Sequence, residues 1–426
     1  MKTTLLHNAT IITAEKEAVG TIYIKEGKIT DIIYKEEDDY MVKVFALMKQ
    51  TSKEDILELD GKCVMAGGID AHVHFREPGL THKADMESES KAALAGGVTY
   101  AIDMPNTNPA TTTAAALKEK IEIAQSKASG KIAFHIGATN SNAEEICRLV
   151  KEGDAETGIT PEDIAGVKVF MGSSTGNMLV DSGNTLETIF AIKEKPVLVH
   201  CEDEETIKNN LAKAIEKYGD EIPFPEHENI RSRSACIKSS IKALEMVRAA
   251  KLSNPEIIAE TSCNYLWFSN EDYSRLGSKA KCNPSVKTVN DREALRRGLA
   301  EGTIDTIGSD HAPHLLSEKD APYTKAPSGL PTIQQSLPVL LTIARQDEIP
   351  LTRIASVFSE KASETYKLNT GKIAVGYAAD LVIFDKEKSF TVKNEDQLTK
   401  CGWSPYEGET LYGVIENVLV DGLSVL

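Results

Sequence analysis

The sequence predicts an α/β protein: a (β/α)8 barrel of the TIM type, carrying a small composite β-sandwich domain built from both chain ends. Three observations predict it. Apolar runs alternate with helical segments from Lys62 to about residue 371, several of these runs close on a histidine or aspartate, and short β-like runs occupy both ends of the chain. Such alternation is the mark of a parallel sheet with crossover helices, and this many units favour closure into a barrel over an open sheet.

Residues 1–35 hold two β-like stretches, LLHNATIITA and TIYIKEGKITDIIY, separated by turn residues, as a small antiparallel sheet requires. The charged stretch KEEDDYMVKVFALMKQTSKED follows and is helical in part. The barrel runs then come in order: VMAGGIDAHVHF, a helix ending near Gly96, TYAIDMP, the helix TTAAALKEKIEIAQSKA, KIAFHIGAT, AGVKVFMG, PVLVHCED, EIIAETSCNYL and DTIGSDHAP. After Lys372, GKIAVGYAADLVIFD and LYGVIENVLVDG read as strands again. Residues 1–62 and 372–426 therefore form one discontinuous domain around a barrel of 63–371. Only seven barrel strands can be counted. Between PVLVHCED and EIIAETSCNYL the chain reads as two helices, 204–219 and 231–250, and the proline-broken EIPFP cannot be a central strand. One βα unit is missing.

The chain has 426 residues, with 48 Lys and Arg against 64 Asp and Glu, for a net charge of −16. An acidic chain without a basic tract does not suit a polyphosphate backbone, which excludes nucleic-acid binding. No run approaches the ~18 apolar residues of a membrane span, and the N-terminus lacks a basic region followed by an apolar core, so a cytoplasmic location is expected. The seven cysteines are scattered without a C-x-x-C pair and read as free thiols.

His72 and His74 lie near the end of an apolar run, where strand period two turns both side chains to one face. At the carboxyl end of a first barrel strand that face is where active sites form. A pair of ordinary, satisfied histidines is the alternative. Lys168 lies inside VKVFM, where an isolated ammonium is costly to bury. It either reaches the strand end or is carboxylated by carbon dioxide, giving a carbamate able to bridge two metal ions. His200 ends PVLVH and Asp310 ends DTIGSD, each closing its own strand at the same rim. Oxygen donors mixed with imidazoles suit zinc or a similar divalent ion. Arg76, two residues beyond His74, offers a planar fork for a carboxylate, against the alternative of a surface ion pair.

These residues lie within GGIDAHVHFREPG, AGGVTYAIDMPNTNP, VKVFMG, HCED, NPSVKT, GTIDTIGSDHAPH and GKIAVGYAADLVIFD, with SPYEG near the end. Together they resemble the cyclic amidohydrolases, and among them the dihydroorotases. The resemblance spans nearly the whole chain. It implies reversible hydrolysis of dihydroorotate to N-carbamoyl-aspartate, a step of pyrimidine synthesis, by a hydroxide held between two divalent ions. Zinc is the expected ion, with manganese and cobalt open. The implied ligands are His72, His74, a carboxylated Lys168, His200 and Asp310, with Asp310 also the general base and then acid. Arg76, Asn106 and His314 match positions that hold the substrate carboxylate; Asn106 and His314 also suit ordinary turn chemistry. Lys287 stands where an arginine is usual and carries a substrate role only by its charge. A homodimer is open, as an exposed small sheet allows.

Relatives carry another histidine at the end of a sixth strand, and none is found here. Its place falls near 246–251, the same place at which the strand count falls short. Two explanations are open: the sequence as it stands omits residues there, or the second ion's imidazole is absent. The first is preferred, because losing a barrel strand leaves two unpaired edges beside a core. Relatives' P-H-H-L is Cys263, Asn264, Tyr265 and Leu266 here. Hydantoinase or allantoinase chemistry on the same metal cage, and a catalytically silent scaffold for another pyrimidine enzyme, are the competing readings.

Overall fold

Alternating apolar positions at both ends of the chain make one hydrogen-bonded sheet of eight strands. The computed structural model describes residues 2–172, 178–233, 235 and 241–426, without the side chains of 241–243. The sheet runs Leu423–Ser424, Thr410–Val420, Leu381–Thr391, Cys63–Ala66, Thr3–Ile12, Glu17–Lys25 and Lys28–Tyr34, with Ile56–Glu58 beside Thr3–Ile12. Cys63–Ala66 joins the two ends: Cys63 to Met65 pair in parallel with Thr10 to Ile12, while Cys63 to Ala66 pair antiparallel with Phe384 to Leu381. The sheet thus reaches past the expected boundary at residue 62. Leu6, Ile11, Ile22, Val64, Leu381 and Ile383 pack as its core. The helical part of the charged stretch is Tyr40–Met48.

The barrel follows at once. Its first five strands, Gly68–Val73, Val98–Asp103, Lys131–Gly137, Gly166–Met171 and Val197–Cys201, form one parallel sheet in sequential order. Buried apolar runs with helices between them are what a parallel sheet needs on both faces. The crossover helix Met86–Ala95 begins at a capping box of Asp85 and Ser88, and Ala114–Lys127 is capped by Thr113. From that second helix, the fully buried Lys120 reaches Asp103 at 2.5 Å and the Met104 carbonyl at 2.8 Å. Asp103 also accepts from the Phe75 amide at 2.7 Å, so the ends of the first two strands are tied together just below the H-x-H segment.

Two more parallel strands, Glu260–Thr261 and Thr306–Ile307, form a separate pair. The second of them returns to the start of the barrel through a bridge between Val73 and His311 and a 2.8 Å bond from the His74 amide to the His311 carbonyl. Among the described residues no ladder links Val197–Cys201 to Glu260–Thr261, and seven barrel strands are present. Residues 246–251 lie within the helix Ile241–Ser253, where the sixth strand of a barrel would fall. IKALEMVRAAKLS is rich in Ala, Leu, Lys, Arg and Met, the strongest helix formers, and has no β-branched run from which a strand could form. The expected helix 204–219 is Glu204–Tyr218. Of the expected helix 231–250, residues 241–250 are helical, 231–233 and 235 are not, and 234 and 236–240 lie outside the described residues; a short helix, Glu226–Ile230, precedes it. No helix among the described residues is long and apolar enough to cross a membrane.

Candidate active site

Strand period two carries His72 and His74 to the barrel's carboxyl rim, and the turn after Thr306–Ile307 brings Asp310 opposite them. His74 Nε2 lies 3.2 Å and His72 Nε2 3.5 Å from Asp310 Oδ1. These three are the one group of at least three histidine, cysteine or acidic side chains, among the described residues, arranged to hold a metal ion. A tetrahedral zinc ion with bonds near 2.0–2.1 Å places its ligand atoms about 3.3 Å apart, so the spacing fits a divalent ion. The chemistry of the donors fits as well. His74 Nδ1 lies 2.7 Å from Asn106 Oδ1 and His72 Nδ1 2.8 Å from Glu260 Oε1. Each acceptor takes the Nδ1 proton, which fixes the tautomer and turns the lone pair of Nε2 toward Asp310.

Burial pulls the His74 imidazole down to about 4, so it is neutral and able to ligate at physiological pH. Burial pushes the Asp310 carboxyl up, but His72, His74 and the Lys168 ammonium outweigh it and hold the group at about 2. Asp310 is therefore a carboxylate throughout the working pH range. Its backbone is in the left-handed region at φ 48, and so is Arg76 at φ 65. Such conformations cost of order 1–3 kcal/mol and persist where surrounding structure imposes them. Here the surround is tight. A side chain at Gly308 would meet His72 Cβ at 2.7 Å and the Glu260 carboxyl at 2.8 Å.

The other candidates divide. Lys168 is buried on the fourth strand, its ammonium 5.1 Å from the Phe170 ring centre and near enough for its charge to act on Asp310. His200 ends the fifth strand but lies outside the three-residue cluster, with Nε2 at 2.8 Å from Glu202 Oε2. Arg76 is buried with Nε donating to the Pro313 carbonyl and Nη2 3.0 Å from His314 Nε2. Burial pulls its guanidinium down to about 10, which leaves it charged. Its Nη1 has no protein acceptor among the described residues. Burial, then the charges of Arg76 and Lys83, drive His314 well below the ordinary imidazole range, so it is neutral. Trp403, from the C-terminal segment, donates to the His314 carbonyl at 2.7 Å and holds that loop. Asn106 meets His74 and so lies at the site. Lys287 is placed otherwise: its ammonium donates to the Arg231 carbonyl at 2.8 Å and to Ser285.

Three carboxylates that sequence reasoning left without a role take part. Asp70 accepts from the His72 and Ser309 amides, each at 3.0 Å, and joins the first and last strands beneath the site. Glu89 meets His311 Nε2 at 2.7 Å, fixing the residue next to Asp310. Glu260 orients His72. Its signal was an acidic residue ending the apolar run EIIAE, the same signal that marked His200 and Asp310. Glu260→Gln is expected to lower zinc affinity about 10–100-fold, read by competition with a chromophoric chelator; unchanged affinity would remove Glu260 from this role.

Residues 63–425 match the amidohydrolase family. The chain is 31% identical to the dihydroorotase of Methanosarcina mazei over 91% of its own length and 86% of that protein's. It is 31% identical to the dihydroorotase of Clostridioides difficile over 94% and 98%. Among solved structures, L-hydantoinase (dihydropyrimidinase) from Arthrobacter aurescens superposes with a TM-score of 0.85 at 25% identity, covering 100% of this chain and 96% of that one. With the match extending over most of its length, from the strand that joins the two ends to the last residues of the sheet, the chain belongs to the amidohydrolase family.

Proposed function

We propose that this chain hydrolyses, reversibly, the cyclic amide of L-dihydroorotate to N-carbamoyl-L-aspartate. The observation that carries the reading is Arg76: a buried, charged guanidinium whose Nη1 has no acceptor among the described residues, on the same rim as His74 and Asp310. A substrate bearing a carboxylate calls for such a planar donor fork in an otherwise acidic protein. The curated relatives named dihydroorotase support the same substrate.

A divalent ion at His72, His74 and Asp310 supplies Lewis acidity and a lowered pKa for water. The residues do the rest. Arg76 and the amide nitrogen of Asn106 hold the carboxylate, which orients the ring against the Asp310 carboxylate. Asp310 takes the proton as water's oxygen bonds to the amide carbon. It returns that proton to the ring nitrogen as the carbon–nitrogen bond breaks, leaving a carboxylic acid and a ureido group. Burial keeps His74 neutral, and Glu260 and Asn106 accept the hydrogen bonds of the His72 and His74 Nδ1 groups.

A second reading is favoured by the superposition on a protein named L-hydantoinase: ring opening of a cyclic diamide that carries no carboxylate. Assay of the zinc-loaded protein on dihydroorotate and on hydantoin separates the two. Turnover of dihydroorotate with kcat/KM at least a hundredfold above that for hydantoin is expected, and the reverse order overturns the reading.

A further inference from the structure

His200 is held through one ring nitrogen. Its Nε2 proton goes to Glu202 Oε2, a carboxylate with a fully buried side chain, and the same oxygen is held by Arg231 Nη1. Burying an ionised carboxylate without a partner costs several kcal/mol, so Glu202 and Arg231 depend on each other. Arg231 belongs to the stretch between the fifth and seventh barrel strands, where a sixth strand would lie. It is anchored there through its carbonyl, which accepts from Ser285 Oγ at 3.0 Å and from the Lys287 ammonium at 2.8 Å. The positive charge is concentrated: burial first, then Arg231, Lys281 and Lys287, depress the nearby His227 imidazole.

All nine histidines of the chain are among the described residues, so the remaining imidazoles can be accounted for. His7 bonds Thr21 within the terminal sheet, and His82 lies 3.8 Å from Glu318. His135 donates to the Ala71 carbonyl; His227 is engaged by Tyr323 and the Cys282 carbonyl. His311 is bound to Glu89, and His314 lies between Arg76 and Lys83. Each of these imidazoles is engaged through at least one ring nitrogen and, among the described residues, no second group of ligating side chains forms around His200; a second dication would also have to enter beside fixed guanidinium and ammonium groups.

We infer that the chain holds one divalent ion per molecule, at His72, His74 and Asp310, and that a His200–Glu202–Arg231 relay replaces a second ion with fixed charge. The inference rests on the ion site of the proposed function but not on its substrate. Arg231 acts through Glu202 on His200, as a positioning residue. Saturation of the full chain with Mn2+ and with Zn2+, followed by desalting and elemental analysis, is expected to give one ion per chain. The Mn2+ resonance spectrum should be that of an isolated ion. His200→Ala should keep that one ion, whereas His72→Ala should weaken binding more than a hundredfold. Two ions per chain, an exchange-coupled Mn2+ spectrum, no retained ion, or loss of an ion from His200→Ala would each overturn it. The spectrum of the unmodified protein decides even if a variant fails to fold. Hydantoin turnover with one ion would sink the substrate assignment and leave this inference standing, and dihydroorotate turnover with two ions would do the opposite.

Discussion

Asp310→Asn is expected to lower kcat/KM by about 10⁴-fold, or about 5.5 kcal/mol of transition-state stabilisation. Two losses combine. The amide is a poor ligand opposite His72 and His74, and it cannot take a proton from water. The substitution is well suited to the test because shape is retained and asparagine is among the residues that most readily adopt the φ of 48 found there. Thermal unfolding should therefore change little while turnover collapses. Steady-state kinetics with ion content determined on the same sample checks this, and activity within tenfold of the parent protein would remove Asp310 from the chemistry.

Arg76 carries the second large effect, and it is selective. Arg76→Met is expected to lower kcat/KM for dihydroorotate about 10²–10³-fold through a raised KM, because a desolvated, charge-assisted pair is lost. Arg76→Lys should recover only part of this, since an ammonium keeps the charge but not the fork. Any residual opening of hydantoin, which has no carboxylate for Arg76 to meet, should stay within a few-fold. A uniform loss on both substrates would mean that Arg76 serves to hold the Pro313 carbonyl and His314 in place, the contacts it makes in the structure, and not to bind substrate.

Much of this site was legible because it depends on local periodicity. His72 and His74 share a face through the two-residue repeat of a strand, and Asp310 could be placed because a barrel sends all its strand ends to one rim. The shortfall of one strand was also legible, as it needs only a count of apolar runs. What could not be read is adjacency across the chain. Glu260 meets His72 from 188 residues away, and nothing in EIIAE says which histidine it will face. Arg231 follows a five-residue helix, and its hold on Glu202 depends on how the segment between the fifth and seventh strands folds back. That contact holds the carboxylate against which His200 is set. Lys287 was misplaced for a related reason: its charge was visible, but not the carbonyls that absorb it.

The four-residue strand Cys63–Ala66 has a bearing on how the molecule is made. Its two hydrogen-bonding edges are completed by segments from opposite extremes of the polypeptide, Thr10 to Ile12 on one side and Leu381 to Phe384 on the other. Loop closure over so long a span is entropically slow, and such pairings come late in folding. A ribosome emitting this chain releases the first barrel strand, Gly68–Val73, while the ladder immediately upstream is still half built. The strand just upstream of the stretch bearing His72 and His74 thus has one edge paired by residues made before it, and its other edge filled only once Leu381 to Phe384 have followed.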